Sequence, residues 1–261
     1  HGAHTIYYRM KKTLGVIPAR MASSRFPGKP LEKIFGVPMI AHCYERALLS
    51  QTCDELVIAT PDKEIIDWAK KYDIPALLTS HSHERATERA AEVTRILEQD
   101  GHFYDYILLL QGDEPQIFPD DIKELKIAFN NSNSDVVNLV YPIHGSDLSD
   151  PNVVKAIITK SNKISFFTRA HVPYGSEKGI RQLGMIGFSR AALLNYVKLE
   201  MTELEILESI DMMRFLENNI VIHGVFSSYP IIGVDNPSDI LKVEKMMEED
   251  TLMNKYNKKY L

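Results

Sequence analysis

Apolar residues along the chain come in short dense runs, and the spacing between runs alternates between two periods. Leu14–Ile17, Leu56–Thr60, Ile74–Leu78 and Tyr106–Leu110 are nearly continuous apolar stretches, which suits strands covered on both faces, as in a parallel sheet. Between them the apolar positions recur at helical spacing. Met39, Ile40, Cys43, Ala47 and Leu48 follow Pro38, and Ile65, Ile66, Trp68 and Ala69 follow Asp62, which reads as an N-cap. A polar loop from Thr79 runs into a helix ending near Asp100. Such alternation predicts an α/β fold with a mostly parallel sheet and helices on both faces, because parallel strands need crossover connections. Trp68 reads as core.

Farther along, Pro119 opens a helix to about Asn131, and Asp135–Tyr141 is the next strand. The pattern then changes: Val153–Ile158 and Ile164–Phe167, separated by Lys160-Ser161-Asn162, form an antiparallel hairpin. This predicts an insertion over about 143–188 that lies above the ligand crevice. Glu203–Asn218 reads as one acidic amphipathic helix, with Leu204, Ile206, Leu207, Ile210, Met213 and Leu216 inward. A strand over Ile220–Phe226 follows. Residues 1–12 are expected to be a tail whose His1-Gly2-Ala3-His4 is a cloning remnant, residues 13–250 a single domain, and the Lys- and Tyr-rich 251–261 a C-terminal tail, as a surface helix or frayed end.

Chemistry concentrates at the end of the first run. Arg20, Arg25 and Lys29 are interleaved with Ala19, Ala22, Ser23, Ser24 and Gly28, small residues that let backbone N–H groups approach a ligand. Open α/β sheets bind ligands at the carboxyl ends of their strands, and three cations with fixed donors suit a triphosphate. Walker A spacing is excluded because Pro30 follows Lys29, and no Gly-x-Gly-x-x-Gly opens a helix. The net charge of -5 makes this basic loop conspicuous and argues against general nucleic-acid binding. Gln111-Gly112-Asp113-Glu114-Pro115 ends the Tyr106 run, so Asp113 faces the same crevice as a hard oxygen donor for Mg2+. Asp235 precedes Pro237 and reads, by itself, as a helix cap.

The remaining composition narrows the setting. Two cysteines, Cys43 and Cys53, give neither a disulfide framework nor a metal knuckle. His81 and His83 stand at no zinc spacing and read as a solvated loop. No apolar run approaches roughly 18 residues and no signal-peptide core is visible, so membrane insertion is not expected and a cytoplasmic location is.

Pro18-Ala19-Arg20, Ser24-Arg25 and Pro27-Gly28-Lys29-Pro30-Leu31 together resemble the nucleotide-binding signature of sugar-activating cytidylyltransferases, and within them the CMP-Kdo synthetase (3-deoxy-manno-octulosonate cytidylyltransferase) family. The likeness runs from Leu14 to about Asp250. It implies a Rossmann-like nucleotidyltransferase sheet (GT-A-like), an insertion that covers the sugar acid and supplies a homodimer contact, and a place in lipopolysaccharide or capsule synthesis. The implied reaction moves the cytidylyl group of CTP to a hydroxyl of a 3-deoxy-octulosonate-type acid and releases pyrophosphate. The resemblance further implies that Arg20, Arg25 and Lys29 hold phosphates, that Pro18, Ala19, Thr87, Arg89 and Gln111 complete the nucleotide site, and that Asp113 and Asp235 hold Mg2+.

For the acceptor, Arg169, in Thr168-Arg169-Ala170, reads as a grip on the acid's carboxylate, as the resemblance also implies, with a surface arginine paired with the acidic helix as the other reading. Glu205, Glu208 and Asp211 are either a solvated face or part of the acceptor pocket. Three departures stand out. Arg85-Ala86 replaces Ser-Gly ahead of Thr87-Glu88-Arg89, while Gln182, Ile186 and Met212 stand where the family has His, Tyr and Gln. Two polar contacts have become apolar, so an amino-modified octulosonate or another 2-keto acid is the alternative acceptor. A GT-A glycosyltransferase is disfavoured because Glu114-Pro115, rather than x-Asp, follows Asp113. A non-catalytic nucleotide sensor is disfavoured by Lys29, Asp113 and Asp235 together.

Overall fold

A computed structural model describes residues 9–261, so His1-Gly2-Ala3-His4 lies outside the described residues. The chain forms strand β1 (Thr13–Pro18), the short pair β2 (Lys33–Ile34) and β3 (Val37–Pro38), helix α1 (Met39–Leu49), β4 (Glu55–Thr60), α2 (Lys63–Lys71), β5 (Ala76–Leu78), α3 (Ala86–Gln99) and β6 (Tyr106–Leu109). There follow α4 (Pro119–Ser132), β7 (Val136–His144), β8 (Lys155–Ile158), β9 (Ile164–Thr168), β10 (Lys178–Ser189), α5 (Arg190–Tyr196), α6 (Glu203–Glu208), α7 (Met213–Glu217), β11 (Ile222–Phe226) and α8 (Asp239–Met247).

The main sheet has the order β11-β7-β10-β6-β1-β4-β5. β1 pairs parallel with β4 and β6, β4 with β5, and β11 with β7, while β10 runs antiparallel between β6 and β7. The carboxyl ends of β1, β4 and β6 therefore share one edge, where the basic loop and Asp113 emerge. Side chains alternate across the sheet into two cores. Ile17, Ile58 and Leu108 pack with α1, α2 and α4; Leu14, Val16, Leu109 and Phe188 pack with α3, α5 and α7. Burial on both faces is why β1, β4 and β6 read as unbroken apolar runs, whereas the Ile74–Leu78 run, expected to be covered on both faces, gives only the edge strand β5 with Leu78 exposed. Trp68 joins the first core, stacked on Tyr260 with ring centroids 6.2 Å apart.

Two elements depart from expectation. The predicted helix Glu203–Asn218 is two short helices, broken at Ser209, whose φ of 54° is left-handed. Thr202 and Glu205 form a capping box on α6, which is complete within a turn and a half. Ile206 and Leu207 consequently face out, whereas Ile210, Met212 and Met213 turn into the second core.

The C-terminal residues are a strap, not a frayed tail. Two 3-10 turns, Thr251–Lys255 and Asn257–Lys259, bring Tyr256 and Tyr260 into the first core. The Tyr260 hydroxyl donates to Glu45 at 2.6 Å, and the fully buried Arg46 lies 2.7 Å from Asp250. Sequence polarity concealed this because the anchors are two tyrosines whose hydroxyls have buried partners.

His42 on α1 couples this strap to pH. Its ring nitrogens meet the Tyr256 hydroxyl at 2.8 Å and the Ile34 carbonyl at 2.9 Å, and burial pushes its pKa down from 6.5 to about 4. The unfolded chain binds the proton first, so this group's stabilisation is present above pH 6.5 and lost as pH falls toward 4. The loss is on the order of 2–3 kcal/mol by pH 4.5. Urea unfolding of wild type and His42→Gln at pH 7.5 and 4.5 is expected to show that much less pH dependence in the variant; equal slopes would refute the neutral buried histidine.

Candidate active site

The loop after β1 is folded by its own small residues and tied down at both ends. Ala19 N–H donates to the Ala59 carbonyl at 2.9 Å, and Met21 N–H to the Asp62 carboxylate at 2.7 Å. Asp62 thus holds the loop rather than capping α2 through its side chain, a role its sequence position did not reveal. Gly28, with φ of 75°, closes the turn by donating to Met21 and lets Lys29 begin a 3-10 turn. Phe26 is buried with Ile34, Met39, Val234, Val243 and Met247, so an apolar plug fastens the basic loop to the segment before α8.

That plug brings the separated chemistry together. Lys29 Nζ donates to Asp113 Oδ2 at 3.1 Å and to the Val234 carbonyl at 2.7 Å, while Val234 N–H donates to the Asp113 carbonyl at 2.8 Å. Arg25 meets Asp235 at 3.2 Å. The cap reading of Asp235 does not hold, because Asp239 accepts the N–H groups of Asp235 and Asn236. Asp235 is thereby left to face Arg25. A Cβ on Gly112 would lie 2.5 Å from the Pro18 carbonyl, so the ends of β1 and β6 can abut only with glycine there.

A cavity of about 280 Å³ opens at this edge, lined by Pro18, Ala19, Arg20, Arg25, Lys29, Arg89, Gln111, Asp113 and Asp235 among the residues singled out from sequence. Ser23, His83, Glu84, Arg85 and Ala86 also line it. Its charged groups are five cations (Arg20, Arg25, Lys29, Arg85, Arg89) against three carboxylates (Glu84, Asp113, Asp235), an excess of positive charge on a chain of net charge -5. Arg89 is buried against Thr79 and the Ser80 carbonyl, and burial pulls its pKa down. Next to Asp113, burial and that neighbour's charge push Glu114 up to about 7, while its Oε1 accepts Gly184 N–H at 3.1 Å. Glu114 was not separable in sequence from the turn it occupies.

Other expected site residues lie elsewhere. Thr87 is buried and donates to Asp211 at 3.0 Å, joining α3 to the α6–α7 turn. Glu205 is wholly buried under Arg214, whose Nε and Nη2 each lie 2.7 Å from it, so it is neither a solvated face nor part of the cavity wall. Ile186 and Met212 belong to the second core, and Gln182 donates to the buried Asn138 at 2.7 Å. Arg169 gives its guanidinium to three main-chain carbonyls, those of Pro151, Glu208 and Ser209, at 2.8, 2.6 and 3.2 Å. It ties the insertion to α6 instead of facing the cavity, and no residue of 143–188 lines that cavity. Sequence spacing could not show that backbone acceptors would take three of this arginine's donors.

Comparisons with known proteins place the chain in a family. The sequence profile of the family described as "Cytidylyltransferase" matches residues 14–222. The 3-deoxy-manno-octulosonate cytidylyltransferase of Thermodesulfovibrio yellowstonii is 35% identical, over 90% of this chain and 98% of its own. The mitochondrial enzyme of that name from Arabidopsis thaliana is 34% identical, over 95% of this chain and 89% of its own. A solved CMP:2-keto-3-deoxy-manno-octonic acid synthetase complexed with CTP superposes with a TM-score of 0.84 at 32% identity, covering 92% of this chain and 99% of that one. With a profile match across most of its length and relatives this similar end to end, the chain belongs to the cytidylyltransferase family.

Proposed function

We propose that this protein activates a 3-deoxy-octulosonate-type sugar acid, transferring the cytidylyl group of CTP to a hydroxyl of the acid and releasing pyrophosphate. The observation that carries the reading is the cation-rich cavity in which Lys29 and Arg25 stand against Asp113 and Asp235. Relatives named for this activity and a neighbour solved with CTP support it. In the reaction the acceptor oxygen attacks the α-phosphorus as the bond to the pyrophosphate oxygen breaks. The chain's contribution is positioning and charge neutralisation. Arg20, Arg25 and Lys29 take the phosphate oxygens, and backbone groups at Pro18 and Ala19, with Gln111 and Arg89, border the base.

Asp113 and Asp235 fit Mg2+. They are partly exposed hard oxygen donors on one cavity, each neutralised by a cation, and Mg2+ typically takes one or two carboxylates together with substrate phosphates. Bound there, the ion would supply further neutralisation of charge on the triphosphate. A homodimer and a role in lipopolysaccharide or capsule synthesis belong to this reading through the family likeness, and an amino-modified octulosonate or another 2-keto acid is the alternative acceptor because Ile186 and Met212 depart from it. Among the described residues no helix is long and apolar enough to cross a membrane.

Pyrophosphate release with CTP, Mg2+ and a panel of 2-keto sugar acids tests the reading; activity only with neutral sugars would overturn it. Asp113→Asn and Asp235→Asn are each expected to lower kcat by at least about 100-fold with little change in melting temperature. Near-normal turnover of the Asp235 variant at saturating Mg2+ would remove it from the metal site. CTP is expected to raise the melting temperature more than UTP, ATP or GTP, and Lys29→Ala to weaken that effect. Equal stabilisation by all four would sink the base-selective pocket while leaving the phosphate loop standing.

A further inference from the structure

The wall opposite the phosphate loop carries a guanidinium that the family signature does not contain. Arg85 occupies the position of the signature's Ser, at the N-cap of α3, and lines the cavity with its side chain 17% exposed. A guanidinium has five N–H donors. Here one of them, on Nη1, finds a hydrogen-bond acceptor, the Ser209 hydroxyl at a long 3.5 Å. Nε is buried without a hydrogen-bond partner, although Glu205 Oε1 is 3.5 Å away. Glu205 is already claimed by Arg214, whose two nitrogens lie 2.7 Å from its two oxygens. Arg85 is therefore a partly desolvated cation whose donors are largely unspent, which costs free energy until an anion takes them up.

The position selects which anion. Arg25 and Lys29 pair with Asp235 and Asp113 on the β1–β6 side, where the proposed function puts the triphosphate. Arg85 stands on the α3 side, against Ser209 in the α6–α7 turn. That same turn absorbs Arg169 through the carbonyls of Glu208 and Ser209. Arg169 spends three donors on backbone carbonyls away from the cavity, while Arg85 lines the cavity with a single long hydrogen bond to the protein. We infer that Arg85 holds the carboxylate of the sugar-acid acceptor, and that the arginine at this position sets this chain's acceptor choice. The inference rests on the proposed function and adds the residue that reads the acid.

Kdo and its C1 amide, which keeps the shape and removes the charge, separate this role from a structural one. Pyrophosphate release would be followed at saturating CTP and Mg2+ for wild type, Arg85→Ser, Arg85→Lys and Arg169→Gln, with CTP affinity measured by calorimetry. Wild type is expected to favour Kdo over the amide by about 10- to 100-fold in kcat/KM. Arg85→Ser should lose most of that preference by losing activity on Kdo, with the amide rate and CTP affinity within about threefold of wild type. Arg85→Lys should recover part of it, since charge remains but the planar fork does not; this variant carries the test should the serine variant not fold. Arg169→Gln should keep the preference. An undiminished preference in Arg85→Ser, its collapse in Arg169→Gln, or a tenfold loss of CTP affinity on changing Arg85 would overturn the assignment. Wild type that binds CTP yet releases no pyrophosphate with any 2-keto acid would instead bring down the proposed function, and this inference with it.

Discussion

The site depends on one buried-side ammonium. Lys29 reaches out of the turn after β1 to Asp113 at the end of β6 and to the Val234 carbonyl, three pieces of chain separated by 84 and 205 positions. A carboxylate and a carbonyl take two of the three donors of this ammonium and fix the loop. Its position is set in turn by packing. Phe26 three residues earlier is sunk among Met39, Val234 and Met247, so the apolar plug brings the polar contacts within range instead of the contacts holding the chain. An ion pair at this degree of exposure could not close such a distance by attraction alone.

The same corner explains how an acidic protein presents a site for an anion. Charge is segregated, with cations converging on the carboxyl edge of the sheet and the excess acid spread over other surfaces. The edge has low-dielectric walls: β1, β4 and β6 are buried on both faces, and the Gly112–Pro18 contact leaves no room for a side chain between strand ends. Field from the five cavity cations is consequently focused on the opening. Asp113 and Asp235 keep that field from being uniformly positive, which is the arrangement a triphosphate carrying a cation requires.

Much of this was legible in the sequence because it is written in short-range pattern. Buried strands declared themselves by unbroken apolar runs, crossover helices by their period, and the loop by its cations among small residues. Of the nine nucleotide-side residues that meet in the cavity, Pro18, Ala19, Arg20, Gln111 and Asp113 stand at or just past the ends of β1 and β6, where topology dictates direction. What the sequence hid depends on partners chosen at long range. Asp62 and Asp235 do not fill the cap roles that local spacing assigns them, since Asp62 accepts from Met21 N–H and Asp239 accepts the N–H groups of Asp235 and Asn236. The C-terminal strap is polar by composition, and its burial is visible only once Glu45 and His42 are seen to face its tyrosines.

The acceptor side was the least legible, and the break at Ser209 is the reason. Had 203–218 been one helix, its carboxylates would have faced a common direction and Arg169 would have had a row of them to meet. The left-handed residue instead turns Glu208 and Ser209 so that their carbonyls are exposed at a helix end, where four acceptors go unpaired within the helix. Arg169 takes two of those carbonyls, and Glu208 answers by accepting the Arg169 N–H at 2.8 Å and the Thr168 hydroxyl at 2.6 Å. Glu205, one turn earlier, is drawn under Arg214. Every acidic group of α6 that sequence offered to a substrate is thus either spent internally or turned away, while the cation that interrupts the family's motif at residue 85 lines the cavity with one long hydrogen bond.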